Sequence, residues 1–292
     1  EILNKIEAGV EDLSISRANV SWGVPVPWDT KQTIYVWYDA LLNYWTAPQI
    51  VCKNLWPADL HLIGKEIAWF HCVIWPAMLL SAGESLPHEV FVHDFYNIKG
   101  TKMSKSLGNM ITPQELVEKF GVDATRYLLA AFFPQSTDAA ISWDLMVEKY
   151  NADLANGLGN LVARLAKLCE KNEISKSNPN SISNSNSKSK SMLVAKHYAS
   201  CDLPKELEGI LNGLRVLDKK LNELQPWKLE KEGAVPIIQG LVSELLAVNE
   251  SLKPFMPQTA ETIEGIFTSP PIKAPGGDPF DWPLARRHCR AQ

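Results

Sequence analysis

The chain has no Cys-x-x-Cys pair. Its five cysteines (Cys52, Cys72, Cys169, Cys201 and Cys289) are scattered and odd in number, which excludes a zinc knuckle and argues against a disulfide framework. The thiols are expected to be free, in a reducing compartment such as the cytoplasm. No apolar run approaches the roughly 20 residues of a membrane span, and no basic-then-apolar signal opens the chain. Excess positive charge is lacking too: the formal net charge is -4, with 11 Lys+Arg against 17 Asp+Glu in residues 1–150 and 18 against 16 in residues 151–292. Neither half is a general polyanion binder, so a nucleic acid would have to be met by a local patch. The first residue is Glu1, and Glu1 to Ile15 reads as the tail of a charged amphipathic element, so an excerpt of a longer chain is expected.

What is present is ample apolar content. The 292 residues are 46% hydrophobic, which excludes disorder throughout and allows about two domains. Seven of the ten tryptophans (Trp22, Trp28, Trp37, Trp45, Trp56, Trp69 and Trp75) fall in the first 75 residues. In this part, Thr33 to Trp37, Leu60-Leu62-Ile63 ending at Gly64, and Glu89 to Val92 read as buried strands. Helical segments are expected over Asp39 to Trp45 and Glu66 to Leu80. Strands alternating with helices predict a parallel α/β sheet with chemistry just beyond the strand ends.

Near residue 110 the pattern changes. Thr112-Pro113-Gln114-Glu115 is a helix start with a Thr N-cap, Pro at the first position and a carboxylate in the first turn. Leu207, Ile210, Leu211, Leu214, Leu217, Leu221 and Leu224 follow helical spacing up to Pro226, and Ile238, Leu241, Leu245, Val248 and Leu252 do so up to Pro254. These stripes read as bundle core, making this half all-α. Eight of the seventeen residues from Ser175 to Ser191 are Ser and four are Asn, a composition expected of a flexible loop. The expected organisation is 1–110 as an α/β catalytic part, 111–150 as a linking helical region, 151–268 as a helical domain with a loop at 172–191, and 269–292 as an extended tail docked through Phe280 and Trp282.

The most informative stretch is Lys99-Gly100-Thr101-Lys102-Met103-Ser104-Lys105-Ser106-Leu107-Gly108-Asn109, with three lysines and two serines, all but Lys99 between Gly100 and Gly108, just after an expected strand. Ammonium groups on such a loop can follow and neutralise a triphosphate as charge moves onto departing pyrophosphate. On composition alone, a solvated surface loop fits equally well. Elsewhere, Trp37, Tyr44 and Trp75 around Ala40 and Ile67 would suit a thioether side chain, because sulfur gains about 0.3–1.5 kcal/mol per aromatic contact. His71 or a tyrosine hydroxyl is then available to the sulfur. Ile67, His71 and Trp75 are spaced by four, so on a helix they share a face. Without further support, that face reads as ordinary core.

Residues 102–106 are Lys-Met-Ser-Lys-Ser, which resembles the second signature loop of the class I aminoacyl-tRNA synthetases. The flanks, Phe91-Val92-His93 before it and Thr112-Pro113 after it, are most similar to the methionyl members. Asp12 to Arg17 with Trp22 to Pro27, Tyr35 to Ala40 with Tyr44, His61 to Ile67 with His71 and Trp75, and Phe120 to Tyr127 extend the resemblance along the chain. Leu41 stands where the family commonly has Pro, and Glu66 where it commonly has Asp. The resemblance implies the C-terminal half of a Rossmann-like parallel-sheet catalytic domain followed by an anticodon-binding helical bundle. It implies methionine and ATP with Mg²⁺ as substrates, tRNA-Met as partner, and no zinc site in this chain.

By residue, the resemblance implies catalysis by Lys102 and Lys105. ATP would be bound by Gly64, Glu66, His93, Lys102, Met103, Ser104, Lys105 and Ser106, and methionine by Trp37, Ala40, Tyr44, Ile67, His71 and Trp75. The anticodon would be read by Asn160, Arg164 and Trp227, an amide, a guanidinium and an aromatic plate suited to unstacked bases. Asp123 and Arg126 are expected to be structural, as helix-start and ion-pair residues. The family's first signature, His-Ile-Gly-His or a variant, has no counterpart, so the chain is expected to begin just after the connective insertion. A tRNA-binding fragment without catalysis is the alternative of a different class. Another class I synthetase, for leucine or cysteine, is disfavoured by the Trp37, Tyr44, His71, Trp75 and Asn160, Arg164, Trp227 sets.

Overall fold

The computed structural model describes residues 2–51, 55–98, 101–103, 110–174, 201–269 and 272. They divide into two compact units, one formed by residues 1–95 with 135–137 and the other by residues 96–134 with 138–292.

In the first unit, helix α1 (Ile2–Glu7) buries no residue, so the opening amphipathic segment finds no core here. Strands β1 (Ser16–Arg17), β2 (Pro25–Val26) and β3 (Asp29–Ile34) form an antiparallel sheet with β3 in the middle. The strand expected at Thr33 to Trp37 is displaced towards the N-terminus, and the helix expected from Asp39 begins at Val36. The Tyr35 carbonyl accepts from the amides of Tyr38 (2.9 Å) and Asp39 (3.3 Å), so the chain leaves the ladder directly into helix α2 (Val36–Val51). β4 (Leu60–Gly64) and β5 (Glu89–His93) then pair in parallel, His61 opposite Val90 and Gly64 opposite His93, as the alternation of strands and helices predicts.

The connection between β4 and β5 is helical but not the single α-helix expected from Glu66 to Leu80. It runs through a 3₁₀ turn (Lys65–Ile67), a π segment (Phe70–Ile74) and α3 (Trp75–Ala82). Gly83, at φ 74°, closes α3 in the left-handed conformation that glycine adopts without a Cβ clash. Leu41, Trp75 and Leu79 form a small core, with Trp37, Trp45, Trp56, Phe70, Ile74 and Met78 packed against it. Much of the tryptophan excess is therefore packing, although Trp22 and Trp28 are exposed.

In the second unit, β6 (Tyr96–Ile98) pairs antiparallel with β7 (Thr101–Lys102) and parallel with β8 (Ala139–Ile141). Helix α4 (Pro113–Phe120) opens with a capping box, Thr112 and Glu115 each bonding the other's amide. α5 (Val122–Ala131) follows. Residues Trp143 to Lys171 are helical throughout, as α6 (Trp143–Lys149), a ten-residue π segment (Tyr150–Gly159) and α7 (Asn160–Lys171). Helices α8 (Leu203–Leu224), α9 (Lys231–Leu252) and α10 (Pro257–Thr268) complete the described part. Both leucine stripes are buried as expected, except that Leu224 at the end of α8 is exposed and Val248 only partly covered. Ile174 and Ile272 are also buried. The Ser/Asn-rich loop from 175 onward, Phe280 and Trp282 lie outside the described residues.

Among the described residues, Asp123 and Arg126 are structural through hydrogen bonds to the turn between α9 and α10, and not through the ion pairs expected to fix the signature loop against the bundle. Buried Asp123 accepts from the Thr259 amide at 2.6 Å, capping α10 at a point where a carboxylate also suits the helix dipole. Arg126 donates to the carbonyls of Phe255 (3.0 Å) and Pro254 (2.6 Å), so both residues of α5 fasten the α9–α10 turn. Arg126→Ala is expected to destabilise the chain by about 1–2 kcal/mol, a lysine recovering only part because it lacks the fork of donors. Urea denaturation followed by the far-ultraviolet signal measures this.

Candidate functional site

The first group of candidate residues gathers where α2 meets the β4-to-β5 connection. Trp37 and Ala40, in the first turns of α2, are half-buried, and Tyr44 one turn further is exposed along one edge. Trp37 stacks on Phe70 at 4.7 Å and 14° and meets His71 edge-on at 6.3 Å. His71 is fully buried. Its Nδ1 donates to the Ile67 carbonyl (2.9 Å) and its Nε2 lies 2.9 Å from the Tyr44 hydroxyl. In the neutral ring Nε2 is then the acceptor and Tyr44 the donor. These two bonds use both ring nitrogens of His71 and the one Tyr44 proton, so a thioether sulfur, itself an acceptor, would share the Tyr44 hydroxyl proton with His71 Nε2. Trp75 is 1% exposed and sits 6.2 Å behind the Tyr44 ring, backing the cluster rather than walling a cavity.

Two members escaped the sequence reading. Phe70 supplies the plate for Trp37. His61, on the same side of β4 as buried Ile63, packs its ring 4.3 Å from that of Tyr44 at a 58° tilt and lies 6.0 Å from His71. Strand alternation was the available signal, since His61 and Ile63 are two apart. A separate groove of about 560 Å³, lined by Leu13, Ile15, Tyr38, Leu42 and Trp45, shares only Trp75 with this cluster.

The strand ends carry the second group. Gly64 closes β4 at φ -80°, an ordinary extended conformation, and a Cβ there would meet only His93 Cε1 at 3.7 Å. The fold does not demand glycine here, which leaves close approach of a ligand as a use for it. His93 Nδ1 donates to the Asp94 carbonyl (2.8 Å). Lys65, beside exposed Glu66, pairs with Asp94 at 2.6 Å and lies 4.8 Å over the Phe95 ring.

Of the lysine-serine loop, the backbone of Lys102 ends β7 and Met103 packs against the helical core of the second unit. The Lys102 side chain, Ser104, Lys105 and Ser106 lie outside the described residues. Among the described residues no group of three or more His, Cys, Asp or Glu is gathered as a metal site, and no helix is long and apolar enough to cross a membrane.

The third group lies in the second unit. Asn160 and Arg164 lie one turn apart on α7, Asn160 exposed. Arg164 donates to Asp218 (2.6 Å) and Asn222 (2.6 Å) on α8, and its guanidinium carbon lies 5.9 Å from the Trp227 ring centre. Asn222 in turn donates to Asp218 at 3.0 Å. Trp227, in the 3₁₀ turn Pro226–Lys228, is 39% exposed. Asp218 and Asn222 are braces that the sequence signalled only by their spacing of four on a striped helix. Next to them a cleft of about 460 Å³ is lined by Asp153, Asn156, Gly157, Arg215 and Asp218.

Residues 1–166 match the family model described as "tRNA synthetases class I (M)". The chain is 38% identical over 282 residues to the methionine-tRNA ligase of Caldanaerobacter subterraneus subsp. tengcongensis, covering 89% of this chain and 43% of that protein. Against the Brucella melitensis methionine-tRNA ligase the identity is 39%, covering 98% of this chain and 58% of the relative. Among solved structures it is similar to Mycobacterium tuberculosis methionyl-tRNA synthetase bound by methionyl-adenylate, with TM-score 0.80, 34% identity, and coverage of 91% of this chain and 56% of the other. The chain thus spans about half the length of the relatives it matches.

Burial, and after it the neighbouring His71 imidazole, hold the His61 pKa below its ordinary 6.5. As the pH falls through 6.5 the unfolded chain takes up a proton at His61 that the folded chain resists. Stability present above that value is lost until the lowered folded pKa is passed. Tryptophan-detected denaturation between about pH 7.5 and about pH 5 is expected to show this decline, with a slope of at most about 1.4 kcal/mol per pH unit, and His61→Phe is expected to flatten it.

Proposed function

The chain belongs to the class I (M) tRNA synthetases, and from that premise we propose that it carries the amino-acid pocket, the second signature loop and the anticodon-reading surface of a methionine-tRNA ligase. The observation that carries this reading is the hydrogen-bonded Tyr44–His71 pair with Trp37 beside it, His71 lying on the segment that leaves the C-terminal end of a parallel strand. Ligands of open α/β sheets bind outside those ends. A methionine side chain would lie against the Trp37 edge and Ala40, its sulfur within reach of the Tyr44 hydroxyl, with Ile67 filling the floor and Trp75 behind.

The reaction is attack of the methionine carboxylate on the α-phosphate of the ATP–Mg²⁺ substrate, with release of pyrophosphate, followed by transfer of the methionyl group to the terminal adenosine of tRNA-Met. Gly64 gives the adenosine close approach to backbone, Glu66 takes a ribose hydroxyl or the substrate ammonium, and His93 lies over the nucleoside. Lys105 offsets charge developing on the pyrophosphate, while Lys102, Met103, Ser104 and Ser106 hold the loop. No covalent nucleophile is required, since binding both reactants in line supplies much of the acceleration.

In the second unit, which we read as the anticodon-binding bundle, Trp227 offers a stacking face while Arg164 and Asn160 offer donors to base edges. Asp218 and Asn222 hold the guanidinium near that ring, its carbon 5.9 Å from the ring centre, leaving its remaining N–H groups for a base. Free thiols and the absence of a zinc-type cysteine pattern fit a cytoplasmic enzyme part without a zinc site of its own. A tRNA-binding piece without catalysis is the second reading, favoured by the Arg164 guanidinium already set beside Trp227 by Asp218 and Asn222.

Amino-acid-dependent pyrophosphate exchange tests the proposal. The chain alone is expected to show little exchange, and the chain joined to the unmatched N-terminal portion of the Brucella relative is expected to show exchange with methionine only. Exchange with leucine would overturn the assignment, and absent exchange with retained tRNA binding would favour the second reading. In the joined enzyme, Lys105→Ala is expected to lower adenylation by about 10²–10³ while leaving tRNA affinity unchanged. Trp227→Ala is expected to weaken binding of a CAU-anticodon tRNA by about 1–3 kcal/mol with adenylation intact.

A further inference from the structure

His61 occupies a place where the fold alone would favour a hydrocarbon side chain. It points to the buried side of β4 together with Ile63, is 5% exposed, and its Nε2 is buried without a hydrogen-bond partner. An unpaired buried polar atom is a cost that a leucine or valine would avoid. What the imidazole offers in return is a planar ring: it lies 4.3 Å from that of Tyr44, tilted by 58°, and meets His71 edge-on at 6.0 Å and 66°. Tyr44 is hydrogen-bonded to His71 and 37% exposed. Its ring is therefore held by two contacts, the hydroxyl to His71 and the ring against His61. Without the second, the side chain could swing about χ1 and carry its hydroxyl away from His71.

From this arrangement, and resting on the reading of the cluster as a methionine pocket, we infer that His61 is a positioning residue: it holds the Tyr44 ring so that its hydroxyl group stays between His71 and the substrate sulfur. It acts through Tyr44, and the property it supplies is planar bulk, not charge or a hydrogen bond. The inference thus separates three substitutions of similar burial. Phenylalanine keeps the planar ring, leucine keeps volume without it, and alanine keeps neither.

Kinetics of the joined enzyme and ring spectra of the 292-residue chain read the effect independently. His61→Ala and His61→Leu are expected to raise the KM for methionine about tenfold, with kcat and the KM for ATP changed by less than about twofold, and His61→Phe to stay within about threefold of the parent. In the chain by itself, nuclear magnetic resonance of the His71 and Tyr44 rings is expected to show large shifts in His61→Leu and small ones in His61→Phe. If alanine prevents folding, the leucine and phenylalanine pair carries the comparison. A parallel rise in both KM values, equal effects of Leu and Phe, or unmoved Tyr44 and His71 signals in His61→Leu overturns the inference while leaving the pocket standing. Tyr44→Phe separates the two: an unaltered methionine KM in that variant overturns the pocket reading itself, whereas a raised KM with His61→Leu at parent level removes only His61.

Discussion

Two parallel strands cannot be joined by a tight turn; the chain must leave one strand end and travel back along the sheet. Between β4 and β5 that return is Lys65 to His88, and it starts at the very edge where open α/β sheets receive ligands. Everything assigned to the first unit depends on this constraint. The return segment carries Ile67, His71 and Trp75, and its buried face has to pack on something, which is α2 with Trp37, Leu41 and Tyr44. The proposed pocket is the exposed rim of that packing. Trp75, Leu41 and Leu79 seal the interior, while Tyr44 and His71, one hydrogen bond apart, mark where interior becomes rim.

The π segment from Phe70 to Ile74 alters the geometry of the return. Widening the helix shifts residues beyond it relative to those before it, so Ile67, His71 and Trp75 do not form the straight row that a spacing of four gives on an α-helix. Trp75 goes into the core, and His71, buried as well, reaches the exposed Tyr44 through its Nε2. The second unit uses its own π segment, Tyr150–Gly159, just before Asn160 and Arg164. There the Tyr127 hydroxyl donates to Asp153 at 2.7 Å, and Lys149 reaches the same carboxylate at 2.8 Å. In that unit the base-reading candidates sit on a helix bound to its neighbours by charge-assisted contacts, and Arg164 is set by Asp218 and Asn222 before any ligand arrives. Preset donors lose less freedom on binding than mobile ones.

The sequence was legible where one physical signal dominated. Period-3.6 leucine stripes marked α8 and α9, and Thr112-Pro113-Gln114-Glu115 marked a capped start that the structure reproduces bond for bond. Gly64 marked the end of β4. It was less legible where two signals competed. Tyr35-Val36-Trp37 is β-prone by composition, yet Val36 and Trp37 open a helix because the ladder ends at Ile34 and the Tyr35 carbonyl captures the next amides. Contacts between residues distant in sequence left no mark at all. Asp123 to Thr259 and Arg126 to Pro254 span more than a hundred residues, and nothing local distinguishes a carboxylate that caps a remote helix from one that pairs with a lysine. His61 was passed over for a related reason, since a single histidine in a short apolar strand is silent until the rings around it are in place.

Trp37, Tyr44 and His71 are proposed to form an amino-acid pocket and not merely a core. Ring resonances of the joined enzyme titrated with methionine test this most directly. Saturable shifts of the Tyr44 and His71 signals, with exposed His88 unmoved and leucine without effect, are the predicted result. Signals that stay in place while methionine is being activated would contradict it.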